Sequence, residues 1–187
     1  MKHSLVRETI IKTASNLFYQ KGYNLTGINE IISESGTAKA TLYNHFKSKE
    51  DICVAYLDYL NNSFLIDIRK FSESKSIGEN QILALFDFLE KFFFNKDFNG
   101  CWCLNTISEI PRENRKIRNE IQKEKSLFLN LIVMLLEINF SKKEKKEIDV
   151  LSKQIYLIYE SAISESHLHQ DVWPIRTAKE ILKKILI

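Results

Sequence analysis

The thirteen residues from Lys39 to Asp51, KATLYNHFKSKED, gather side chains suited to holding a polyanion. Lys39 supplies a cation, Ala40 permits close approach, and Thr41, Tyr43, Asn44 and His45 carry hydroxyl, amide and imidazole groups. Leu42 and Phe46 stand at i, i+4, so on a helix they hold the segment to a core while the polar residues face outward. Charge agrees with this placement. Residues 1–50 carry seven Lys/Arg against four Asp/Glu, the rest of the chain is balanced, and the net charge is +3. His3 and His45 can add to the basic end. A basic excess confined to one end implies a polyanion-binding module on a neutral body, although a solvated helix face with nothing bound fits the same residues.

Such a segment needs elements to position it. Ile10, Ala14, Leu17 and Phe18 fall on one face of a helix from about Ser4 to Lys21, and Gly22 is placed to cap its end. Thr26 can cap a short helix that buries Ile28, Ile31 and Ile32 and ends near Ser35-Gly36. The second short helix spans about Ala38 to Phe46. Ser48 and Asp51 then have capping-box spacing for a helix to about Phe71. Two short helices joined by Glu34-Ser35-Gly36-Thr37 and braced by a longer one form a helix-turn-helix, with Gly36 at positive φ where the chain turns. Its second short helix is the element that fits the major groove of duplex DNA.

The remaining chain also reads as helix. Ser76 with Glu79, and Ser141 with Glu144, have capping-box spacing, and a short segment that Asp97 or Asn99 can start runs through Trp102 to Ile110, where Pro111 breaks it. A long helix covers about Glu113 to Asn139, with Leu127, Leu131, Met134, Leu135 and Ile138 along one side. Another runs to about His169, and Pro174 opens the last, Ile175 to Leu186. Nine helices and no strand are expected, and five Gly and two Pro agree with helices on short connections.

The run Gly22-Tyr23, Thr26, Ile31, Gly36 and Lys39 to Asp51 resembles the TetR family of bacterial transcriptional regulators, over roughly Arg7 to Ala55. The resemblance implies an all-α fold with a helix-turn-helix DNA-binding domain at residues 1–50 and a helical ligand-binding and dimerisation domain at 51–187. It implies that Lys39 and Ala40 face base edges, Lys39 as donor to guanine O6 and N7, and that Thr41, Tyr43 and His45 contact phosphate or sugar. Thr26 and Lys49 would bind phosphate near helix starts. Asn44 completes the DNA-facing set. Two departures bear on sequence preference. Ala38 stands where the family usually has Ser, leaving Thr37 or water to cap the helix, and Ala40 replaces a frequent glycine.

By the same resemblance the last two helices form a four-helix bundle with a second copy, through Leu151, Ile155, Ile158 and Ala162 and through Ile181, Leu182 and Ile185; an intramolecular core is the alternative for these residues. A cavity among the fourth to seventh helices would hold a small effector. Ten of the twelve phenylalanines lie between Phe64 and Phe140, which suits an apolar or aromatic molecule held by Tyr59, Phe93, Trp102, Asn105 and Phe128, or else forms plain core. Cys101, Asn105 and Glu109 share a face and can form a polar edge of that pocket.

Several chemistries find no support. Cys101 with Cys103, and His167 with His169, are two apart and point to different sides of a helix, so neither pair chelates one metal well. Thiol sensing by Cys101 or Cys103 stays open, whereas Cys53 reads as packing. No Gly-rich phosphate loop, G-x-S-x-G or H-E-x-x-H motif occurs, so neither an enzyme nor a cofactor is expected. Leu127 to Phe140 is interrupted and too short to span a bilayer, and the N-terminus lacks an apolar signal core; a cytoplasmic chain with no membrane partner is expected. The reading is a ligand-responsive regulator, most often a repressor in this family, that binds a palindromic double-stranded DNA operator as a homodimer. The alternative is a helical small-molecule carrier or protein-interaction module that binds no operator.

Overall fold

The computed structural model describes residues 2–186, with side chains from Leu5 onward, so the His3 side chain lies outside the described set. The elements are α1 (Lys2–Lys21), α2 (Ile28–Ser35), α3 (Lys39–His45), α4 (Lys49–Glu73), α5 (Glu79–Phe93), α6 (Trp102–Glu109), α7 (Arg115–Asn139), α8 (Lys145–His169) and α9 (Trp173–Ile185). Among the described residues there is no strand, as expected for an all-α fold.

Helix ends show how local chemistry sets these boundaries. Gly22 at φ 93° and Gly36 at φ 63° close α1 and α2, as the sequence predicts. The Gly36 N–H reaches the carbonyls of Ile32 and Ser33, and nothing lies within 4 Å of where its Cβ would be. Gly36→Ala therefore meets only the backbone penalty of the left-handed region. It is expected to cost about 1 kcal/mol in urea unfolding, with Gly36→Asn closer to wild type.

Three predicted caps are corrected. Thr26 does not cap α2: Gly27 is the N-cap, and the fully buried Thr26 donates its hydroxyl to the Gly22 carbonyl at 2.8 Å. Ser76 does not cap α5. Gly78 does, and its N–H is taken by Asn139 Oδ1 at 2.7 Å. On α8 the box lies three residues beyond Ser141, with Glu144 as N-cap and Glu147 completing the pair. The Ser48–Asp51 arrangement does open α4: Ser48 Oγ accepts the Asp51 N–H at 3.2 Å, while the Asp51 carboxylate accepts the N–H of Lys47 at 3.0 Å.

The chain forms two compact units, Met1–Ser63 with Trp102–Glu124, and Phe64–Cys101 with Lys125–Ile187. In the first, α1, α2 and α3 pack together over Ile10, Ala14, Phe18, Ile31, Leu42 and Phe46, and Ile52, Tyr56 and Leu57 of α4 are equally buried. In the second, α5, α8 and α9 pack on one another through Ile82, Phe86, Leu89, Ile155, Tyr159 and Leu182. Arg176 and Lys179 of α9 pair with Glu90 and Asp87 of α5. On α7 the buried face is Phe128, Leu131, Ile132, Leu135 and Leu136, whereas Leu127 and Ile138 of the apolar side read from the sequence are exposed.

Candidate nucleic-acid interface

α3 is seven residues long and depends on its neighbours for its position. Leu42 has no exposed surface and Phe46 is 3% exposed, so these two side chains anchor the helix in the core. Lys39, Ala40, Tyr43 and Asn44 are exposed, and Thr41 and His45 are partly so. Neither Ala38 nor Thr37 gives α3 a side-chain cap, since the Thr37 hydroxyl turns back to the Ser35 carbonyl. The first N–H groups of α3 are thus left without a capping side chain.

Two cations without an assigned role in the sequence reading, Arg7 and Lys47, stand beside this helix. Arg7 of α1 lies 5.1 Å from the centre of the Phe46 ring, so the contact that seats α3 also places a guanidinium beside it. The exposed Lys47 bonds the Tyr43 carbonyl at 3.3 Å. Lys49, expected at phosphate, is half-buried with its ammonium 4.3 Å from the centre of the Tyr23 ring, and burial lowers its pKa. Burial also pushes the Tyr23 phenol up to about 12, which keeps it neutral. Thr26 is removed from the DNA-facing set, because its side chain has no exposed surface and its hydroxyl is already bonded.

The support beneath α2 and α3 is polar and specific. Glu109, at the end of α6, accepts the Asn24 N–H on Oε2 at 2.7 Å, and its carbonyl accepts the Asn24 side chain at 2.8 Å. Glu109, read from the sequence as a polar pocket edge, therefore braces the α1–α2 turn. Asp51 pairs with Lys116 of α7, which holds its carboxyl below the usual range with help from Ser48 and the Lys47 N–H.

Residues 10–56 match the bacterial regulatory proteins of the tetR family. The chain is 30% identical over 161 residues to IcaR, the helix-turn-helix-type negative transcriptional regulator of the biofilm operon icaADBC in Staphylococcus aureus, over 71% of this chain and 81% of that protein. The chain belongs to the TetR family. The match to YerO, a helix-turn-helix-type transcriptional regulator of Bacillus subtilis, is 36% identical over 123 residues, covering 63% of this chain and only 40% of that protein. Among solved structures, a TetR-family regulator from Streptomyces coelicolor superposes with a TM-score of 0.84 at 22% identity, covering 98% of this chain and 95% of that one. Reduced NemR of Escherichia coli gives 0.84 at 20% identity, over 97% of each chain. These share the fold of a TetR-family transcriptional regulator.

The other predicted sites fare unevenly. Of the expected effector contacts, Tyr59, Trp102 and Asn105 belong to the first unit, and Phe93 and Phe128 to the second. Tyr59 lines a hollow of about 320 Å³ with Lys12, Ser15 and Tyr19. Phe93 packs against Phe98 and Phe94, whereas Phe128 joins a different cluster with Phe64, Tyr156 and Tyr159. All three cysteines are buried free thiols. Cys53 is pushed up to about 12 by burial, an inert packing thiol as expected. Cys101 accepts from Lys125 at 3.1 Å, and Lys125 is ion-paired with Glu160.

Of the seven residues expected between subunits, Leu151, Ile155, Ala162 and Leu182 are buried within their own chain and are core of the second unit. Ile158 and Ile185 are partly exposed, and Ile181 is exposed. A separate stripe on α8 stands outward: Val150, Leu157 and Leu168, at i, i+7 and i+18, are 50%, 65% and 72% exposed. No helix of the described residues is long and apolar enough to cross a membrane.

Proposed function

We propose that this chain is a repressor that binds a palindromic DNA operator as a homodimer and is released by a small effector. The observation that carries this reading is the division of α3, with Leu42 and Phe46 locked in the core and Lys39, Ala40, Tyr43 and Asn44 presented outward together. A helix so held can enter a major groove without rearranging, with Lys39 and Ala40 at base edges, Asn44 beside them, and Tyr43, Thr41, His45 and Lys49 toward the backbone. Residues 1–50 would do this reading and residues 51–187 the dimerisation and effector binding.

A TetR-family reader this small needs two copies to span successive grooves. The exposed stripe of Val150, Leu157 and Leu168, with Ile158, Ile181 and Ile185, supports α8 and α9 as the face a second copy covers. Repression is supported by the likeness to IcaR, a negative regulator. An effector with an aromatic body and one polar group is supported by Phe128 and Tyr159, whose rings lie 4.8 Å apart, and by the enclosed Tyr159 hydroxyl, which has no hydrogen-bond partner. Its effect needs only a differential affinity of about 1–3 kcal/mol between two states.

Fluorescence anisotropy with the DNA upstream of the gene tests the reading. Raising salt from 50 to 200 mM is expected to weaken binding by about 10³–10⁵, as for 6–10 phosphate contacts, and Lys39→Ala to lower discrimination between operator and random duplex. A flat salt response, or no retention of duplex at all, would leave the carrier or protein-interaction alternative standing.

A further inference from the structure

We propose that Asp58, Glu120 and Glu124 form a site for a hard divalent cation in the first unit, with the Lys123 ammonium as its built-in competitor. Glu120 and Glu124 stand one turn apart on α7, and Asp58 comes from α4. One carboxylate oxygen from each lies within 4.8 Å of the other two. That separation suits oxygens gathered about one ion at roughly 2.0–2.6 Å each, with water completing the shell.

Glu124 distinguishes this group from ordinary surface acids. It is 1% exposed, and neither carboxylate oxygen has a hydrogen-bond partner. A buried carboxylate without donors is unfavourable, and such a group either takes up a proton or finds a cation. Its neighbours are a second carboxyl group, Glu120, and the Lys123 ammonium, 3.4 Å from Oε1 and beyond good hydrogen-bond range. The same ammonium lies 2.7 Å from Glu120 and 3.5 Å from Asp58, so one positive charge faces three acids.

The ion has a way in and its competitor a way out. A groove of about 440 Å³ is lined by Asp58, Glu120 and Lys123 together with Arg7, Lys47 and Asp51. Lys123 is 54% exposed and can swing its ammonium to water when a divalent ion takes its place. The donors are all carboxylate oxygen, without thiolate or imidazole, which selects Mg²⁺, Mn²⁺ or Ca²⁺ over softer ions. Bound there, the ion would tie α4 to α7 inside the unit that carries α3.

Isothermal titration of the full chain with Mn²⁺, after removal of metals with a chelator, tests this. One Mn²⁺ per chain is expected, with affinity at least about tenfold weaker in Glu124→Gln and in Asp58→Asn and at least about tenfold tighter in Lys123→Met, which removes the competing charge. Mn²⁺ should also raise the thermal midpoint of the wild type and leave that of Glu124→Gln unmoved. Circular dichroism verifies that the variants are folded; Asp58→Asn, on a less buried side chain, carries the comparison if Glu124→Gln is not. Absence of Mn²⁺ binding at millimolar concentration in the wild type would overturn the proposal, with or without binding by Lys123→Met, because Lys123 would then be the permanent occupant. Binding left unchanged by the carboxylate substitutions would overturn it equally, by placing the ion elsewhere.

Discussion

Leu157→Glu is expected to split the proposed homodimer and weaken the proposed operator binding by about 10²–10⁴, while the folded monomer keeps its helicity. The magnitude follows from linkage: when two reading heads are joined, the second binds at an effective concentration that the separated heads lose. The choice of residue follows from helical geometry. Val150, Leu157 and Leu168 line one side of α8, and Leu157 is 65% exposed in the single chain, so a carboxylate there meets water in the monomer and apolar surface only in a dimer. Ile155, two residues away, faces the opposite way and has no exposed surface. Ile155→Ala should therefore do the reverse and cost about 2–5 kcal/mol of folding stability through the cavity it leaves. Sedimentation velocity, anisotropy on operator DNA and urea unfolding separate the two effects. A Leu157→Glu protein that still sediments as a dimer would move the subunit interface off this stripe.

The two stripes on α8 show what single-chain reading could and could not reach. Leu151, Ile155 and Ala162 have helical apolar spacing, and so do Val150, Leu157 and Leu168; hydrophobicity reveals both faces without saying which neighbour covers which. The helix-turn-helix was legible because its determinants are local. Gly36 permits a left-handed turn, and Leu42 and Phe46 are four apart, whatever the rest of the chain does. Caps were less legible where several acceptors compete within three residues. Gly78 prevails over Ser76 because Asn139, distant in sequence, supplies an oxygen for its N–H. Thr26 was misplaced because a threonine before a helix looks the same whether its hydroxyl caps forward or bonds backward to Gly22. The Asp58, Glu120 and Glu124 cluster had no signal at all in spacing. Only the packing of α4 with α7 brings those carboxylates together, and Glu124 on its own reads as one more charge on an amphipathic helix.

Lys125→Met is expected to destabilise the second unit by about 2–3 kcal/mol at pH 8, and by much less near pH 4.5. Lys125 Nζ lies 2.6 Å from Glu160, and the two side chains are 20% and 15% exposed. Removing one partner of a fully buried pair costs about 3–5 kcal/mol, and the residual contact with water reduces that figure here. The pH dependence follows from Glu160. Burial raises its carboxyl above the ordinary range even with Lys125 opposing the rise, so loss of the ammonium raises it further. An acid whose pKa is higher in the folded than in the unfolded chain binds extra proton when folded. Its contribution to stability is complete below the unfolded value and is lost as pH climbs through the folded one. The variant's deficit should accordingly open between those two values and stay open above them. Adding Glu160→Gln to Lys125→Met removes the stranded charge and is expected to recover part of the loss at pH 8 while changing little near pH 4.5, a non-additivity that urea unfolding at the two pH values reads directly. A deficit of equal size at both pH values would show that Lys125 acts through the packing of its methylene stem and its contact with Cys101, with no part played by the neutralisation of Glu160.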